Sequence, residues 1–162
     1  MTPLDLPRAV SLATRLAESL RRSQVRLAAV FPISGASVAT MDEATRTEAD
    51  AFLKRFENLA NDLQDQVFRL VVATEAGREP SALSRRDAAD YMEKLGVVAS
   101  SDGFFDAIRV RNRLAHVYPD EPDRQAVQLN AAWSAAEVLL AAAATAEAWA
   151  AGRGLSQPPA SP

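Results

Sequence analysis

A ten-residue segment late in the chain, RVRNRLAHVY, combines side chains suited to acid–base and phosphate chemistry. It runs from Arg109 to Tyr118 and contains three arginines and His116, the only histidine of the sequence. Histidine titrates near neutral pH, so it can take up or donate a proton during catalysis. The guanidinium group of arginine stays charged and presents a fork of N–H donors that matches a phosphate. The segment could therefore carry out acid–base chemistry beside a bound phosphate.

The composition of the whole chain restricts the sites and partners that this segment could serve. The 162 residues have a net charge of −3, which argues against a protein that coats nucleic acid non-specifically. Between Ile108 and Tyr118, however, arginines are the only charged side chains, so a small basic site remains compatible. Because there is no cysteine and one histidine, disulfides and a zinc site built from Cys and His are excluded. No motif indicates a carboxylate magnesium site, and we expect no metal or cofactor.

Apolar residues recur at helical spacing over most of the chain, and no strand pattern is found. The first run begins at Leu6 and predicts a helix that stops before Pro32. A second helix is predicted from Thr40 or Asp42 to just before Gly77, forming an antiparallel hairpin with the first. The predicted buried positions of this second helix are Phe52, Phe56, Leu59, Leu63, Gln66, Leu70 and Ala73.

Three further helices are predicted in the second half of the chain. A short one lies between an N-cap at Ser84 and a stop at Gly96. The next carries the RVRNRLAHVY segment and should end near Tyr118, because prolines follow at once. The last runs from about Asp123 to Ala151. The sequence therefore predicts an all-α, antiparallel up-and-down bundle of about five helices.

The sequence predicts a single domain, 1–152, followed by a disordered tail, 153–162. The first residues, MTPLDLPRAV, lack the basic and apolar regions of a targeting segment. Residues 131–151 are long enough to span a membrane, but Glu137 and Glu147 would then lie within the bilayer at an energetic cost. We therefore expect a buried helix there, and a cytoplasmic protein without membrane contact.

The geometry of a regular helix limits how the side chains of the segment could cooperate. Asn112 and His116 are four residues apart and would share one face. Arg111 and His116 would point about 140° apart around the axis. They could meet at one ligand only if the helix frays after His116 or if a second copy contributes. A homodimer with its two-fold axis near this helix would satisfy the second condition.

The pattern R-x4-H-x-Y is formed by Arg111, His116 and Tyr118, with Asn112 directly after the arginine. It resembles the signature of HEPN-domain proteins, and it is most similar to the HepT-like toxins encoded beside a minimal nucleotidyltransferase (MNT). The likeness extends over about thirty residues, YMEKLGVVASSDGFFDAIRVRNRLAHVYPD, which end the fourth of the predicted helices. Outside this segment the resemblance concerns the helical architecture only.

The resemblance implies a metal-independent endoribonuclease that acts as a homodimer on RNA such as tRNA or mRNA, within a toxin–antitoxin system. Arg111 would bind the scissile phosphate and stabilise its developing charge, and His116 would be the general acid or base. Asn112 would orient His116 or the RNA. Tyr118 would accept adenylyl groups from the MNT antitoxin, and the charge and bulk of the added AMP would exclude RNA.

Polar residues outside the signature could support the same site. Arg109 and Arg113 are four residues apart and could extend a phosphate track, or they could be solvated or paired with carboxylates. On the second helix Asp62 and Asp65 lie on a polar flank, where an acidic residue could orient the arginine or histidine of the motif or face solvent. Gln66 is expected to be a buried polar residue at a dimer interface.

Two alternatives to a ribonuclease remain open from the residues alone. One is a non-catalytic HEPN-like dimer that binds a nucleotide or an MNT partner through the same cleft. The other is a generic bundle in which the motif is coincidental, with His116 complementing a helix dipole and Tyr118 packing at the edge of the core. The negative net charge suits either a ribonuclease with a selective substrate or a protein with little catalysis.

Overall fold

The computed structural model describes residues 5–155, and within that range every regular element is helical. The α-helices are α1 (Leu6–Leu27), α2 (Gly35–Ala39), α3 (Glu43–Asp62), α4 (Phe68–Ala76), α5 (Arg85–Lys94), α6 (Ser101–Arg113) and α7 (Pro122–Gly152). A π-helical turn, Leu63–Val67, joins α3 and α4 into one rod, and a 3-10 turn, Pro80–Ala82, precedes α5. The predicted all-α class is confirmed, and the five predicted helices correspond to α1, the α3–α4 rod, α5, α6 and α7.

Short polar side chains fix where four of the helices begin. Asp5, Asp42, Ser84 and Ser100 each accept a hydrogen bond from the backbone N–H three residues later, at 2.7–3.1 Å. Such N-caps satisfy backbone donors that have no partner within the helix. The predicted starts at Asp42 and Ser84 are confirmed.

The core lies between α1, the α3–α4 rod and α7, with α5 and α6 closing one side. α1 packs most extensively against α3, and α7 packs against α1, α2 and α6. The largest side chains with no exposure above 1% include Phe52, Phe56, Phe68, Phe104 and Leu20. These residues come from α1, α3, α4 and α6, so one apolar cluster joins most of the bundle.

The π-helical turn changes which residues of the second predicted helix are buried. Up to Leu63 the buried positions follow the predicted spacing, but beyond it Val67 and Val71 are buried instead of Gln66 and Leu70. A π turn adds one residue to a helical turn, which shifts every later side chain around the axis. The prediction of Gln66 as the buried polar residue is therefore wrong. Its side chain is half-buried, and Gln64 is 3% exposed.

The helix that carries the motif is shorter than predicted. α6 ends at Arg113, whereas its predicted end was near Tyr118. Beyond Arg113 the backbone hydrogen bonds span three residues instead of four. The His116 N–H, for example, donates to the Arg113 carbonyl at 3.1 Å. The side-chain amide of Gln128 in α7 donates to the Arg113 and His116 carbonyls at 3.2 and 2.9 Å. The Gln128 side chain, which comes from another helix, thus caps α6 by satisfying carbonyls that a longer helix would have paired. The helix therefore ends earlier than Pro119 alone would require.

The connection between α1 and α3 contains an additional short helix. The sequence analysis placed no helix between Pro32 and Thr40, but Ser34 caps α2 by accepting the backbone N–H of Ser37 at 3.1 Å. The Ile33 backbone exchanges two hydrogen bonds with the side chain of Asn130, at 2.9 and 2.7 Å. Phe31 stacks on Trp133 with ring centroids 4.1 Å apart. These contacts attach the connection to α7.

The last helix is a long helix with an apolar stretch. α7 has an 18-residue window of mean hydropathy 1.2, of which 44% is buried. By length and composition alone it could cross a membrane, but the core helix of a soluble protein passes the same test. After α7, the Leu155 N–H donates to the Ala150 carbonyl at 2.8 Å, and the Leu155 side chain packs against the core. The remaining residues of the predicted disordered tail, 156–162, lie outside the described residues.

Candidate active site

The last turn of α6 presents Arg111 to the middle of α3. Its guanidinium Nη2 lies 3.3 Å from Glu57 Oε1, and Nη1 donates to Asn112 Oδ1 at 3.1 Å. The Arg111 side chain is 28% exposed, and its buried Nε has no hydrogen-bond partner among residues 5–155. Partial burial and the carboxylate together limit the positions that this guanidinium can take.

Glu57, which pairs with Arg111, is a residue of this site that the sequence did not single out. Its carboxylate also lies 3.4 Å from Lys54 Nζ, one turn earlier in α3. The two acidic candidates from the sequence lie elsewhere. Asp65 forms an ion pair with Arg85 at 2.8 Å, and Asp62 is 7% exposed. The acidic partner of Arg111 is thus Glu57 of α3, and neither of the two carboxylates that the sequence offered for this role pairs with Arg111 among residues 5–155.

His116 lies in the turn after α6 and not on the helix. Its backbone is fixed at both ends, since its N–H bonds to the Arg113 carbonyl and its own carbonyl accepts from Gln128. Its side chain is exposed, and within the described part of the chain the imidazole makes no hydrogen bond. Both ring nitrogens are therefore accessible on a turn whose backbone is held in place.

The position of His116 corrects the predicted relation between Asn112 and the histidine. The two residues do not share a helix face, because α6 ends between them. The Asn112 side chain accepts a hydrogen bond from Arg111 and is exposed. Asn112 is therefore placed to orient the arginine of the motif, and no bond in residues 5–155 links it to His116.

Tyr118 is half-buried in the loop between α6 and α7. The guanidinium carbon of Arg124 lies 4.9 Å from the centroid of its ring, a distance typical of a cation–π contact. The Tyr118 carbonyl accepts from the side-chain amide of Gln125 at 2.8 Å. Among the described residues its hydroxyl makes no hydrogen bond. The phenol oxygen therefore has no intramolecular partner in the described range, and the Arg124 guanidinium beside its ring also pairs with Glu121 at 2.9 Å.

The other two arginines of the segment differ in their pairing. Arg109 forms an ion pair with Asp106 one turn earlier, which matches the alternative of a carboxylate-paired arginine. Arg113 donates from Nε to the Arg109 carbonyl at 3.4 Å, and no carboxylate within residues 5–155 pairs with it. Asp106 and Glu57 thus offset two of the three positive charges that the segment carries.

The surface beside the motif is partly apolar. Val117 and Val127 are 81% and 69% exposed, although valine side chains are usually buried in a helical core. Val127 also lines a small cavity with Arg113 and Gln128 between α6 and α7.

Arg111, His116 and Tyr118 thus lie on the last turn of α6 and in the loop that follows it. No hydrogen bond or ion pair among the described residues joins their side chains directly. In the same range, no group of three or more His, Asp or Glu side chains is arranged as metal ligands would be. Within one short segment of the chain the arrangement offers a carboxylate-held cation, an exposed imidazole and a phenol without a hydrogen-bond partner among residues 5–155. The chain matches no protein-family model, no curated protein and no solved structure.

Proposed function

We propose that this protein is an endoribonuclease of the HEPN-like, HepT-type toxin class, acting as a homodimer. The observation that carries the proposal is the contrast between two side chains five residues apart. Arg111 is held by Glu57 on a rigid helix end, whereas the His116 imidazole is exposed on a turn fixed by Gln128. A fixed cation and an accessible acid–base group are what phosphodiester cleavage requires.

The reaction that fits these groups is transesterification of RNA. The ribose 2′-oxygen attacks the adjacent phosphorus and loses its proton to a base. The bond from phosphorus to the 5′-oxygen then breaks, and that oxygen takes a proton from an acid. The products are a 2′,3′-cyclic phosphate and a 5′-hydroxyl. His116 moves one of these protons, and Arg111 binds the phosphate oxygens as charge develops on them.

A homodimer would supply the second acid–base group. One His116 could act as the base while the partner's His116 acts as the acid. The exposed Val117 and Val127 support an interface beside the motif, because contact with a second copy would cover them.

Regulation by adenylylation would use Tyr118. Its hydroxyl is unpaired within the described residues, and Arg124 near its ring could bind the phosphate of an incoming AMP. An MNT nucleotidyltransferase is the proposed antitoxin, in the cytoplasm. After co-expression with such an enzyme, we expect intact mass to rise by one or more AMP units. Tyr118→Phe should abolish the gain, and Tyr91→Phe, which alters the other tyrosine of the chain, should leave it unchanged.

The alternative is a HEPN-like dimer that binds a nucleotide or the MNT partner without cleaving RNA. The pairing of Arg111 with Glu57 and of Arg109 with Asp106 favours binding of the MNT partner, because two of the arginines would have to leave their carboxylates before they could bind phosphates. Expression of the protein without an antitoxin separates the two functions. A ribonuclease toxin should arrest growth. His116→Ala should remove the arrest, and Arg22→Ala on α1 should retain it. Growth unaffected by the wild-type protein would favour the non-catalytic dimer.

A further inference from the structure

A groove of about 360 Å³ lies between α1 and α3, and no residue of the motif lines it. Leu12 and Leu16 form its α1 side, and Asn58, Asn61 and Asp62 belong to its α3 side. The π-helical turn continues the second wall, to which it contributes Asp65 and Gln66. π-Helical turns are often found at functional sites, where they place side chains that a regular helix could not.

Asp62 is the unusual residue of this groove. It is 7% exposed, and its buried Oδ2 has no hydrogen-bond partner among residues 5–155. Burial raises the pKa of its carboxyl to about 6. A buried carboxylate without a partner destabilises a folded chain, so its presence requires an explanation.

The lining of the groove indicates which chemical group could be that partner. Both charged side chains that line it, Asp62 and Asp65, are acidic, and Arg85 already pairs with Asp65. An anion such as an RNA phosphate would therefore be repelled. A cationic nitrogen could bind Asp62, and the amides of Asn58 and Asn61 could accept its remaining N–H groups. Leu12 and Leu16 would contact the aliphatic stem that carries such a head group.

We propose that the groove between α1 and α3 binds an alkylguanidinium or alkylammonium group, with Asp62 as its counter-ion. Such a group occurs at the end of an arginine or lysine side chain and in small polyamines. The proposal does not depend on the ribonuclease function. Glu57 and Asp62 are five residues apart on α3 and so point about 140° away from each other.

Binding can be tested with agmatine, a dication that carries a guanidinium group at one end of a four-carbon stem and an ammonium group at the other. N-Butylurea, which has a neutral urea group on a four-carbon stem, is the uncharged probe. In titrations followed by methyl NMR at pH 7.5, agmatine should cause saturable shifts at Leu12 and Leu16, and N-butylurea should not. Asp62→Asn should weaken agmatine binding at least tenfold. Asp50→Asn, an exposed carboxylate on the same helix, should leave it unchanged.

Three results would overturn the proposal: no saturable binding, equal binding of N-butylurea, or undiminished binding by Asp62→Asn. Urea unfolding of Asp62→Asn would show whether the variant is folded under the titration conditions. Light scattering distinguishes the two sources of the cation. If the occupant is a side chain of a second copy, agmatine should reduce the molar mass of the wild-type protein. If it is a small free amine, agmatine should bind without changing the mass.

Discussion

Replacing Asp62 with asparagine should stabilise the protein at neutral pH, because it removes a charge that burial disfavours. The carboxyl is 7% exposed, and burial raises its pKa from the ordinary 3.8 to about 6. At 1.36 kcal/mol per pKa unit, this shift corresponds to an upper value of roughly 3 kcal/mol. Because Asp62 borders an open groove, water can reach part of the site, and we expect a gain of about 1–2 kcal/mol.

The sign of the pH dependence follows from the direction of the shift. The folded state binds the Asp62 proton more tightly than the unfolded chain does. The loss of folding free energy caused by the buried charge is therefore fully present above the folded pKa of about 6. It disappears as the pH falls below about 4, where the carboxyl is protonated in both states. The stability difference between Asp62→Asn and the wild-type protein should therefore grow as the pH rises from about 4 to 7.

Urea unfolding at a series of pH values measures this difference directly. An unchanged m-value would show that the two proteins expose similar surface on unfolding. Asp50→Asn is the matched control, since Asp50 is exposed on the same helix and should give no comparable trend. A stability difference that stays constant with pH, or a wild-type protein that is more stable at pH 7, would refute the reasoning.

Three further substitutions test the site and the core. Glu57→Gln should lower kcat/KM for RNA cleavage about tenfold or more, because Arg111 would lose the carboxylate that positions it. The control Asp65→Asn should not lower it. Equal rates for the wild-type protein and Glu57→Gln would contradict a positioning role. Gln128→Ala should speed amide hydrogen exchange at His116, because the Gln128 side chain bonds to the His116 carbonyl and so holds this turn. Unchanged exchange would show that the turn does not need this hydrogen bond. Phe56→Ala should cost about 3–5 kcal/mol in urea unfolding because Phe56 is fully buried, whereas Val25→Ala, at a position 72% exposed, should change stability by less than about 0.5 kcal/mol.

Local signals in the sequence were sufficient to place most of the helices. Asp42 and Ser84 predicted the starts of α3 and α5, since an N-cap side chain bonds to backbone only three residues away. Gly77 adopts a positive φ of 62° at the end of α4, a conformation that glycine reaches without steric cost. Signals of this kind need no knowledge of the rest of the fold.

The features that the sequence did not predict depend on contacts between distant elements. Gln128 ends α6 from a helix that follows it in the chain, so the proline signal alone placed the end too late. The π-helical turn shifts Val67 into the core in place of Gln66, and periodicity cannot predict a one-residue insertion. Glu57 meets Arg111 because α3 and α6 pack together. Helical spacing offered Asp62 and Asp65 for this role and missed Glu57, because spacing along one helix cannot show which of its sides faces α6.

The proposed ribonuclease activity is tested most directly by incubating the purified protein with total tRNA in EDTA, beside His116→Ala, and resolving the products on a denaturing gel. Intact mass should first establish that the wild-type sample carries no AMP. We predict discrete fragments with 2′,3′-cyclic phosphate ends from the wild-type protein and intact tRNA from the variant. Intact tRNA in both lanes, or equal cleavage by His116→Ala, would contradict the proposed mechanism.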